Sequence, residues 1–336
     1  MSRQGSEPKL PWFAVPPTVK SEVARLLGSP VARAERIYGG YSPSATFRIR
    51  LADGRRAFFK GIHAGSNGVM REALIREERV YQRLDLQIRG IAPSFFGSFR
   101  NEDWHVLLLE DLGPATPPPW SARRTQGAAT AYARFHLRTL GRPLPSWLPR
   151  ETTLGFAPSW RDLARSGNLA GTASLAGRRQ DEAREWLDVA FPDLDTAARR
   201  TASPRPPLAL LHLDTRSDNV RLQPDGGLRI FDWPFACVGP VEFEVAAFAQ
   251  SIACEGGPAP ERFIEWYART VPIRSDVLRD SVAAIAGYFA AWAWRAPLPG
   301  LPRLRSIQRR QLKTSLPWAA RLLDLPDPEW LRAVKD

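Results

Sequence analysis

The chain has 336 residues, of which 44% are hydrophobic and 24% are charged, with two cysteines and a net charge of +12. These values exclude an intrinsically disordered chain and a disulfide-stapled domain, and they allow one large domain or two smaller ones. The excess charge comes from arginines scattered along the whole chain, without a dense basic tract, so nucleic-acid binding is the weaker interpretation.

The N-terminal residues and the cysteines indicate a compartment. Prolines interrupt residues 1–17, where a signal peptide would need an apolar run. The longest apolar stretch, residues 282–294, is too short to span a bilayer. Cys237 and Cys254 form no disulfide framework, which fits a reducing environment. We therefore expect a cytoplasmic protein without a membrane partner.

The first elements along the chain are a helix and a hairpin. Apolar residues at helical spacing predict a helix over residues 18–27, which ends at Gly28. A β-hairpin follows, because residues 46–51 alternate apolar and basic side chains and an Asp53-Gly54 turn leads into residues 56–60.

A glycine-rich segment precedes this hairpin. It contains Gly39, Gly40, Ser42 and Ser44, and its backbone N–H groups are suited to covering phosphate groups. A Gly-Gly pair is also common in ordinary turns, so this segment alone decides nothing.

Lys60 stands out because the chain has five lysines against 42 arginines, and Lys60 is the only lysine between Lys20 and Lys313. It ends the apolar strand sequence FFK, where a compact ammonium approaches phosphate oxygens more closely than a guanidinium does. The alternative is a lysine that faces solvent at the end of a strand. A partner inside the protein would favour the first interpretation.

The next helix offers that partner. Apolar residues within 70–84 mark one helix face, and Glu77 falls inside this stripe, whereas Glu72 and Glu78 lie outside it or at its margin. A glutamate directed inward needs a cation. We therefore predict an ion pair between Lys60 and Glu77.

A domain boundary is predicted after the next two strands, near residues 95–99 and 104–109. The sequence Glu110-Asp111-Leu112-Gly113 then enters a proline-rich link, which indicates a hinge. We predict an N-terminal lobe at residues 1–113 and a C-terminal lobe at residues 114–336, and the resemblance described below implies that the N-terminal lobe binds the nucleotide. The second lobe is expected to be mainly helical, with helices over residues 121–140 and 180–190 and with His136 in the core.

Residues 212–232, HLDTRSDNVRLQPDGGLRIFD, carry the densest group of polar candidates. Period-two alternation predicts a hairpin of residues 220–222 and 228–230 with a turn at residues 225–227. Such a hairpin brings Asp214, Asn219 and Asp232 to one end. Two carboxylates and an amide there suit Mg²⁺, which prefers oxygen ligands.

Taken in chain order, these segments resemble the aminoglycoside phosphotransferase and choline-kinase-like family of small-molecule kinases, whose motifs read HxDxxxxN and (I/F)D. This resemblance covers most of the chain. It implies an α+β fold of the protein-kinase-like, two-lobed type. The small N-lobe would be rich in β-strands with one key helix, and the larger C-lobe would be mostly helical.

The resemblance also implies roles for the C-terminal candidates. Asp214 would be the base that accepts the substrate hydroxyl proton, and Asn219 and Asp232 would hold Mg²⁺. Arg216 would help to neutralise the γ-phosphate, although a surface role is equally compatible with an arginine-rich chain. His212 would anchor the loop by hydrogen bonding.

Further roles concern the nucleotide. Lys60, paired with Glu77, would hold the α- and β-phosphates, and the glycine-rich segment would cover them. The backbone at Glu110 and Leu112 would bind the adenine edge.

A helix after Asp232 carries Glu244 in its apolar stripe, where the family commonly has an aspartate that braces the catalytic loop. Because glutamate is one methylene longer, the detail of that bracing stays open.

The function implied is an ATP-dependent O-phosphotransferase, with GTP as an alternative donor and Mg²⁺ as cofactor. Its acceptor would be a small-molecule hydroxyl, on an antibiotic such as an aminoglycoside or on a hydroxylated metabolite, and the protein would be a monomer or homodimer. The segments expected to line the substrate cleft contain some acids (Glu242, Glu255 and Glu261) but also many arginines and aromatics. The competing hypothesis is a nucleotide-binding pseudokinase with a regulatory role. A serine hydrolase is a poorer candidate because the chain has no GxSxG elbow.

Overall fold

The computed structural model describes residues 9–37, 44–63, 65, 68–101, 103–114, 117–157, 159–223, 227–298 and 303–336. Contacts divide the chain into two compact units, residues 1–117 with 218–236 and residues 118–217 with 237–336. This division differs from the predicted consecutive lobes, 1–113 and 114–336, because residues 218–236 make their contacts with the N-terminal part of the chain. Asn219 and Asp232 therefore belong to the first unit, and Asp214 belongs to the second.

The described part of the chain contains both strands and helices. The strands are β1 (Val31–Arg36), β2 (Ala45–Leu51), β3 (Arg56–His63), β4 (Phe95–Asn101), β5 (Trp104–Leu109), β6 (Ala209–Leu211), β7 (Val220–Leu222), β8 (Leu228–Ile230) and β9 (Cys237–Gly239). The helices are α1 (Pro17–Leu27), α2 (Gly68–Arg83), α3 (Asp85–Ile88), α4 (Ala122–Leu137), α5 (Ser159–Arg165), α6 (Leu169–Ser174), α7 (Gln180–Arg200), α8 (Val241–Cys254), α9 (Pro260–Ala268), α10 (Ser275–Trp292) and α11 (Leu304–Leu322).

An antiparallel sheet with the strand order β1-β2-β3-β5-β4 dominates the first unit. The predicted hairpin is β2–β3, and its turn contains Gly54 at φ +89°, a conformation that favours glycine. The predicted first helix is α1, which ends at Gly28 at φ 71°. Strand β1 was not predicted, because its partly exposed residues lack a strict alternation of apolar and polar side chains.

The two faces of the sheet have different neighbours. On one face, Phe47 and Phe59 are buried in a cluster with residues of α1 such as Val19. On the other face, Ile62 of β3 and Leu107 of β5 pack against Leu74 of α2. Because side chains alternate along a strand, Lys60 lies on the same face as Ile62, towards α2.

The hairpin β7–β8 completes the first unit, with Val220 paired to Ile230. Its attachment to the segment after α3 is a backbone hydrogen bond from the Ile230 amide to the Ile91 carbonyl, at 2.6 Å. The Arg229 guanidinium also donates to the Ala92 carbonyl, at 2.9 Å. The predicted turn at residues 225–227 falls mostly outside the described residues.

The second unit is mainly helical, apart from the short pair β6–β9. Helix α4 begins as predicted, because the Ser121 side chain accepts a hydrogen bond from the Arg124 amide, at 3.3 Å. Helix α7 starts at the predicted residue but runs on to Arg200. Helix α10 is buried on most of its surface. It packs closely on α5 because Gly287 has no side chain, and a Cβ atom there would lie 2.5 Å from Trp160.

An α+β fold is therefore confirmed, with a five-stranded antiparallel sheet in the N-terminal part and a mainly helical C-terminal part. None of the helices in the described ranges is long and apolar enough to cross a membrane.

The sheet core yields a stability prediction. Phe59→Ala removes a ring that is fully buried, so we expect the free energy of unfolding to fall by about 3–5 kcal/mol. Phe13→Ala is the matched control, because Phe13 is 85% exposed, and it should change stability by less than about 0.5 kcal/mol. Urea denaturation of both variants measures the difference, and equal losses would contradict the assignment of this core.

Candidate active site

Lys60 occupies the middle of the sheet in the first unit, where β3 pairs with β2 through Thr46 and with β5 through Leu107. The Lys60 ammonium lies 2.5 Å from Glu77 Oε2 and 2.7 Å from Asp232 Oδ1. The predicted ion pair between Lys60 and Glu77 is thus present, and Asp232 joins it as a third member. Glu77 comes from α2, where it is buried as its position in the apolar stripe indicated.

Two carboxylates share one ammonium in this cluster, which we call the charge triad (Lys60, Glu77 and Asp232). Burial alone would lower the pKa of Lys60, but the charges of Asp232 and Glu77 outweigh it and raise that pKa, so the ammonium stays protonated. Burial raises the pKa of Glu77 to about 7 against the attraction of Lys60, and the charge of Asp232 adds to the rise. The triad holds a fixed positive charge beside a carboxyl group that titrates near neutrality.

Asn219 and Asp232 flank the β7–β8 hairpin and are brought together by its register. The Phe231 amide donates to the Asn219 carbonyl at 3.0 Å, which ties the two ends of the hairpin. Asp232 has a φ of 69°, an unusual value for a residue with a side chain. An amide and a carboxylate are donor types that suit Mg²⁺. In the ranges that the structure describes, no group of three or more His, Cys, Asp or Glu side chains forms another candidate metal site.

The predicted hinge follows β5 and is held by both side-chain and backbone bonds. The Glu110 carboxylate accepts hydrogen bonds from the Ser94 amide at 3.0 Å and the Ser94 hydroxyl at 3.1 Å. Within the described stretches, neither the Glu110 carbonyl nor the Leu112 amide has a hydrogen-bond partner. A free acceptor and a free donor are thus spaced two residues apart along the backbone.

Two arginines fix the end of the hinge. Arg48 of β2 and Arg221 of β7 both donate to the Gly113 carbonyl, at 2.6 and 3.2 Å. Burial and the nearby charge of Arg48 lower the pKa of Arg221 to about 10. The sequence did not indicate these two residues, because their partner is a backbone atom distant in the chain.

Of the predicted glycine-rich segment, Gly39, Gly40 and Ser42 lie outside the residues that the structure describes. Ser44 is described and is buried directly before β2.

In the second unit, Asp214 belongs to a loop that follows β6. Leu213, the preceding residue, has a φ of 67°, and its amide donates to the Glu244 carboxylate. The ring of His212 is fully buried, and its Nδ1 accepts a hydrogen bond from the Asp214 amide at 3.2 Å. His212 therefore anchors the loop in the manner expected. Arg216 Nε lies 3.3 Å from Asp214 Oδ1.

Glu244 of α8 is the centre of a buried network beneath this loop. Besides the Leu213 amide, it bonds to His136 Nε2 at 2.8 Å and accepts from the Thr215 hydroxyl at 3.4 Å. His136 Nδ1 bonds in turn to the Tyr267 hydroxyl at 2.7 Å. Burial alone would raise the pKa of Glu244, but the hydrogen bond and charge of His136 outweigh it and the pKa is lowered. The longer side chain of glutamate thus reaches the loop backbone, and His136 is a satisfied core residue.

A second carboxylate holds the far end of the loop. Glu255 accepts from the Ser217 hydroxyl and from the Trp120 indole N–H, the latter at 2.9 Å. Trp120 Nε1 also lies 2.9 Å from the Ser217 hydroxyl. The sequence suggested Glu255 as a cleft acid; its bonds show that it fastens the loop within the second unit.

Comparison with known families finds one whose model matches most of the chain. The model of a family described as "APH: Phosphotransferase enzyme family" matches residues 33–298. No curated protein matches the chain in sequence.

Three similar solved structures have kinase-like folds, each with low sequence identity. An amicoumacin kinase in complex with AMP-PNP, Ca²⁺ and Ami has 11% identity and a TM-score of 0.56, over 88% of this chain and 92% of that one. A putative fructosamine-3-kinase from Thermobifida fusca has 21% identity and a TM-score of 0.53, over 88% and 99%. An aminoglycoside phosphotransferase from Alicyclobacillus acidocaldarius has 15% identity and a TM-score of 0.56, over 96% and 98%.

The charge triad predicts a pH dependence of stability. The raised pKa of Glu77 means that the folded protein favours its protonated form, so stability should fall as the pH rises from about 4.5 to 7. Glu77→Gln cannot ionise and should lose this slope. The measurement is the free energy of unfolding in urea across that range for both proteins.

Glu72→Gln is the matched control, because Glu72 lies on the same helix and is exposed. It should retain the wild-type slope. Identical pH profiles for wild type and Glu77→Gln would show that folding does not raise the pKa of Glu77.

Proposed function

The chain belongs to the phosphotransferase enzyme family, and we propose that it transfers the γ-phosphate of ATP to a hydroxyl group of a small molecule. The observation that carries this proposal is the charge triad. Phosphoryl transfer depends on positioning and on neutralising phosphate charge, and a lysine held by two carboxylates supplies a positive charge at a fixed place.

We propose that Lys60 binds the α- and β-phosphates and that Glu77 keeps its side chain in place. The hinge would recognise the base, with the Glu110 carbonyl as acceptor and the Leu112 amide as donor. The segment with Gly39, Gly40, Ser42 and Ser44 would cover the phosphates. ATP is the expected donor and GTP the alternative.

Asn219 and Asp232 are the residues that would hold Mg²⁺, since their oxygens match its preference. A bound Mg²⁺ would neutralise charge on the phosphate groups. The similar amicoumacin kinase structure contains AMP-PNP and Ca²⁺, which supports the use of a nucleotide and a divalent ion by this family.

Asp214 would orient the acceptor hydroxyl and accept its proton. Its backbone is placed by His212 and by the bond from Leu213 to Glu244, so the carboxylate needs little reorganisation. Arg216 lies beside it and would stabilise charge on the transferred phosphoryl group.

The acceptor class follows from the names of similar structures only in outline. They include kinases of amicoumacin and fructosamine and an aminoglycoside phosphotransferase, so antibiotics and hydroxylated metabolites are both candidates, with antibiotic resistance as one physiological role. We propose a cytoplasmic location and a monomeric or homodimeric state.

Asp214→Asn tests the assignment of the base. We expect Mg²⁺-dependent ADP release to fall by about 10²-fold or more, because the amide cannot accept the hydroxyl proton. The assay supplies ATP with pools of aminoglycosides, macrolides, nucleosides, amino alcohols and sugars. Nucleotide affinity, measured by thermal shift, should stay unchanged.

Wild-type protein that binds ATP but releases no ADP with any pool would favour the pseudokinase alternative. Failure to bind any nucleotide would overturn both hypotheses.

The network under the loop gives a second test. Glu244→Asp shortens the side chain by one methylene, so it cannot reach both His136 and the Leu213 amide. We expect kcat to fall about 10-fold, with little change in KM for ATP. The matched control is Glu242→Asp, on the same helix, because Glu242 is equally buried but pairs with Arg274 at 2.8 Å. An equal loss of kcat in both variants would indicate a general loss of stability instead of loop placement.

A further inference from the structure

Two aromatic side chains interrupt the buried surface of α10. From Asp280 to Ala291 every residue of this helix is buried except Tyr288, which is partly exposed. Trp292 is also partly exposed and lies four residues further on, so both rings project from one face of the helix. This part of the helix is therefore exposed to solvent mainly at these two rings.

A third ring extends the same surface. The centroid of Phe156, in the segment before α5, lies 4.7 Å from that of Tyr288, and the rings of Tyr288 and Trp292 are 6.3 Å apart. Phe156 is supported from behind by the buried ring of Phe243, at 5.3 Å. We call Phe156, Tyr288 and Trp292 the aromatic wall. All three lie in the second unit.

Tyr288, the central ring of the aromatic wall, lies within electrostatic reach of Asp214. Burial raises the pKa of Tyr288, and the nearby charge of Asp214 raises it further, while Arg305 and Arg216 act in the opposite direction. The phenol is therefore protonated at neutral pH and can donate a hydrogen bond. Among the residues that the structure describes, none is bonded to the Tyr288 hydroxyl.

Positive charge surrounds the other end of the wall. The guanidinium of Arg295 lies 4.1 Å from the Trp292 ring centroid, and that of Arg305 lies 5.6 Å from it. Both bond to backbone carbonyls, of Ala291 and Ala296, at 3.0 Å. Neither forms a salt bridge with an acid in the described ranges, so both charges remain to repel a cationic compound.

Of the three acids suggested for an acidic cleft, two are paired with arginines and the third accepts hydrogen bonds from neutral donors. Glu242 is buried against Arg274, at 2.8 Å, and Glu261 bonds to Arg321, at 2.7 Å. Glu255 accepts from Ser217 and Trp120. These are the three carboxylates that the sequence suggested for an acidic cleft.

We propose that the aromatic wall is the acceptor subsite, and that the acceptor is a hydroxyl compound with a flat aromatic or apolar ring and without a cluster of amines. The ring would stack on Trp292 and Phe156, and Tyr288 would donate to an oxygen of the acceptor next to Asp214. This inference rests on the proposed function, since it names the acceptor class of that same site.

The test is calorimetric binding to the full chain in the presence of AMP-PNP and Mg²⁺. The probes are phenyl β-D-glucoside, methyl β-D-glucoside and kanamycin, which differ in the ring and in charge. We expect the phenyl compound to bind about 10-fold more tightly than the methyl compound, and kanamycin to bind more weakly than either. Trp292→Ala should abolish the preference for the phenyl compound, and Tyr288→Phe should weaken the binding of both glucosides.

Trp186→Ala is the matched control, because Trp186 is also partly exposed and packs on Trp330 instead. It should keep the preference for the ring. The inference is overturned if kanamycin binds the wild type most tightly, if the ring confers no preference, or if Trp292→Ala retains it.

The calorimetric experiment measures binding without turnover, so a failure of the acceptor-subsite proposal can be told apart from a failure of the proposed function. Ring-dependent binding by the wild type, together with no ADP release from any acceptor pool, would refute the proposed transfer reaction and leave the acceptor subsite standing.

Discussion

Both units of this protein depend on carboxylates that are held away from water by specific partners. In the charge triad Glu77 is buried, whereas the side chains of Lys60 and Asp232 are 12% and 28% exposed, so the buried carboxylate depends on the ammonium beside it. Each member comes from a different element: a central strand, the helix that covers it, and the end of a hairpin remote in sequence. The triad therefore ties these elements together in addition to holding its charges.

The second unit applies the same principle to a loop. Glu244 is a buried acceptor and Glu255 is a partly buried one, and each accepts from donors in the loop after β6 together with a donor from elsewhere in the unit. Because an unsatisfied buried carboxylate is costly, a shift of the loop that removed the donors of Glu244 would be disfavoured. The loop backbone is held in one arrangement, including the left-handed conformation of Leu213.

The sequence predicted those features that local periodicity encodes. The apolar stripe of α2 placed Glu77 inside, and the alternation in residues 220–230 predicted the β7–β8 hairpin. Arg48, Tyr132 and Thr215 were missed because their partners lie far away in the chain. Tyr132, for example, bonds to the Thr215 hydroxyl, 83 residues away. The bonds of Glu255 were missed for the same reason, since nothing near it in sequence identifies Trp120 and Ser217.

Gly287 has a consequence for how acceptor preference can diverge. Its missing side chain lets Trp160 press against α10, and the Trp160 indole donates to the Ala283 carbonyl, at 2.8 Å. Tyr288 is the next residue along the helix. The contact with Trp160 therefore fixes the position of the helix that carries two of the three rings of the aromatic wall. A shift of this helix along its axis would disrupt the packing of Trp160 against Gly287. A change in acceptor preference is therefore expected to come from substitution of individual rings of the aromatic wall, or from changes in the segment that carries Phe156.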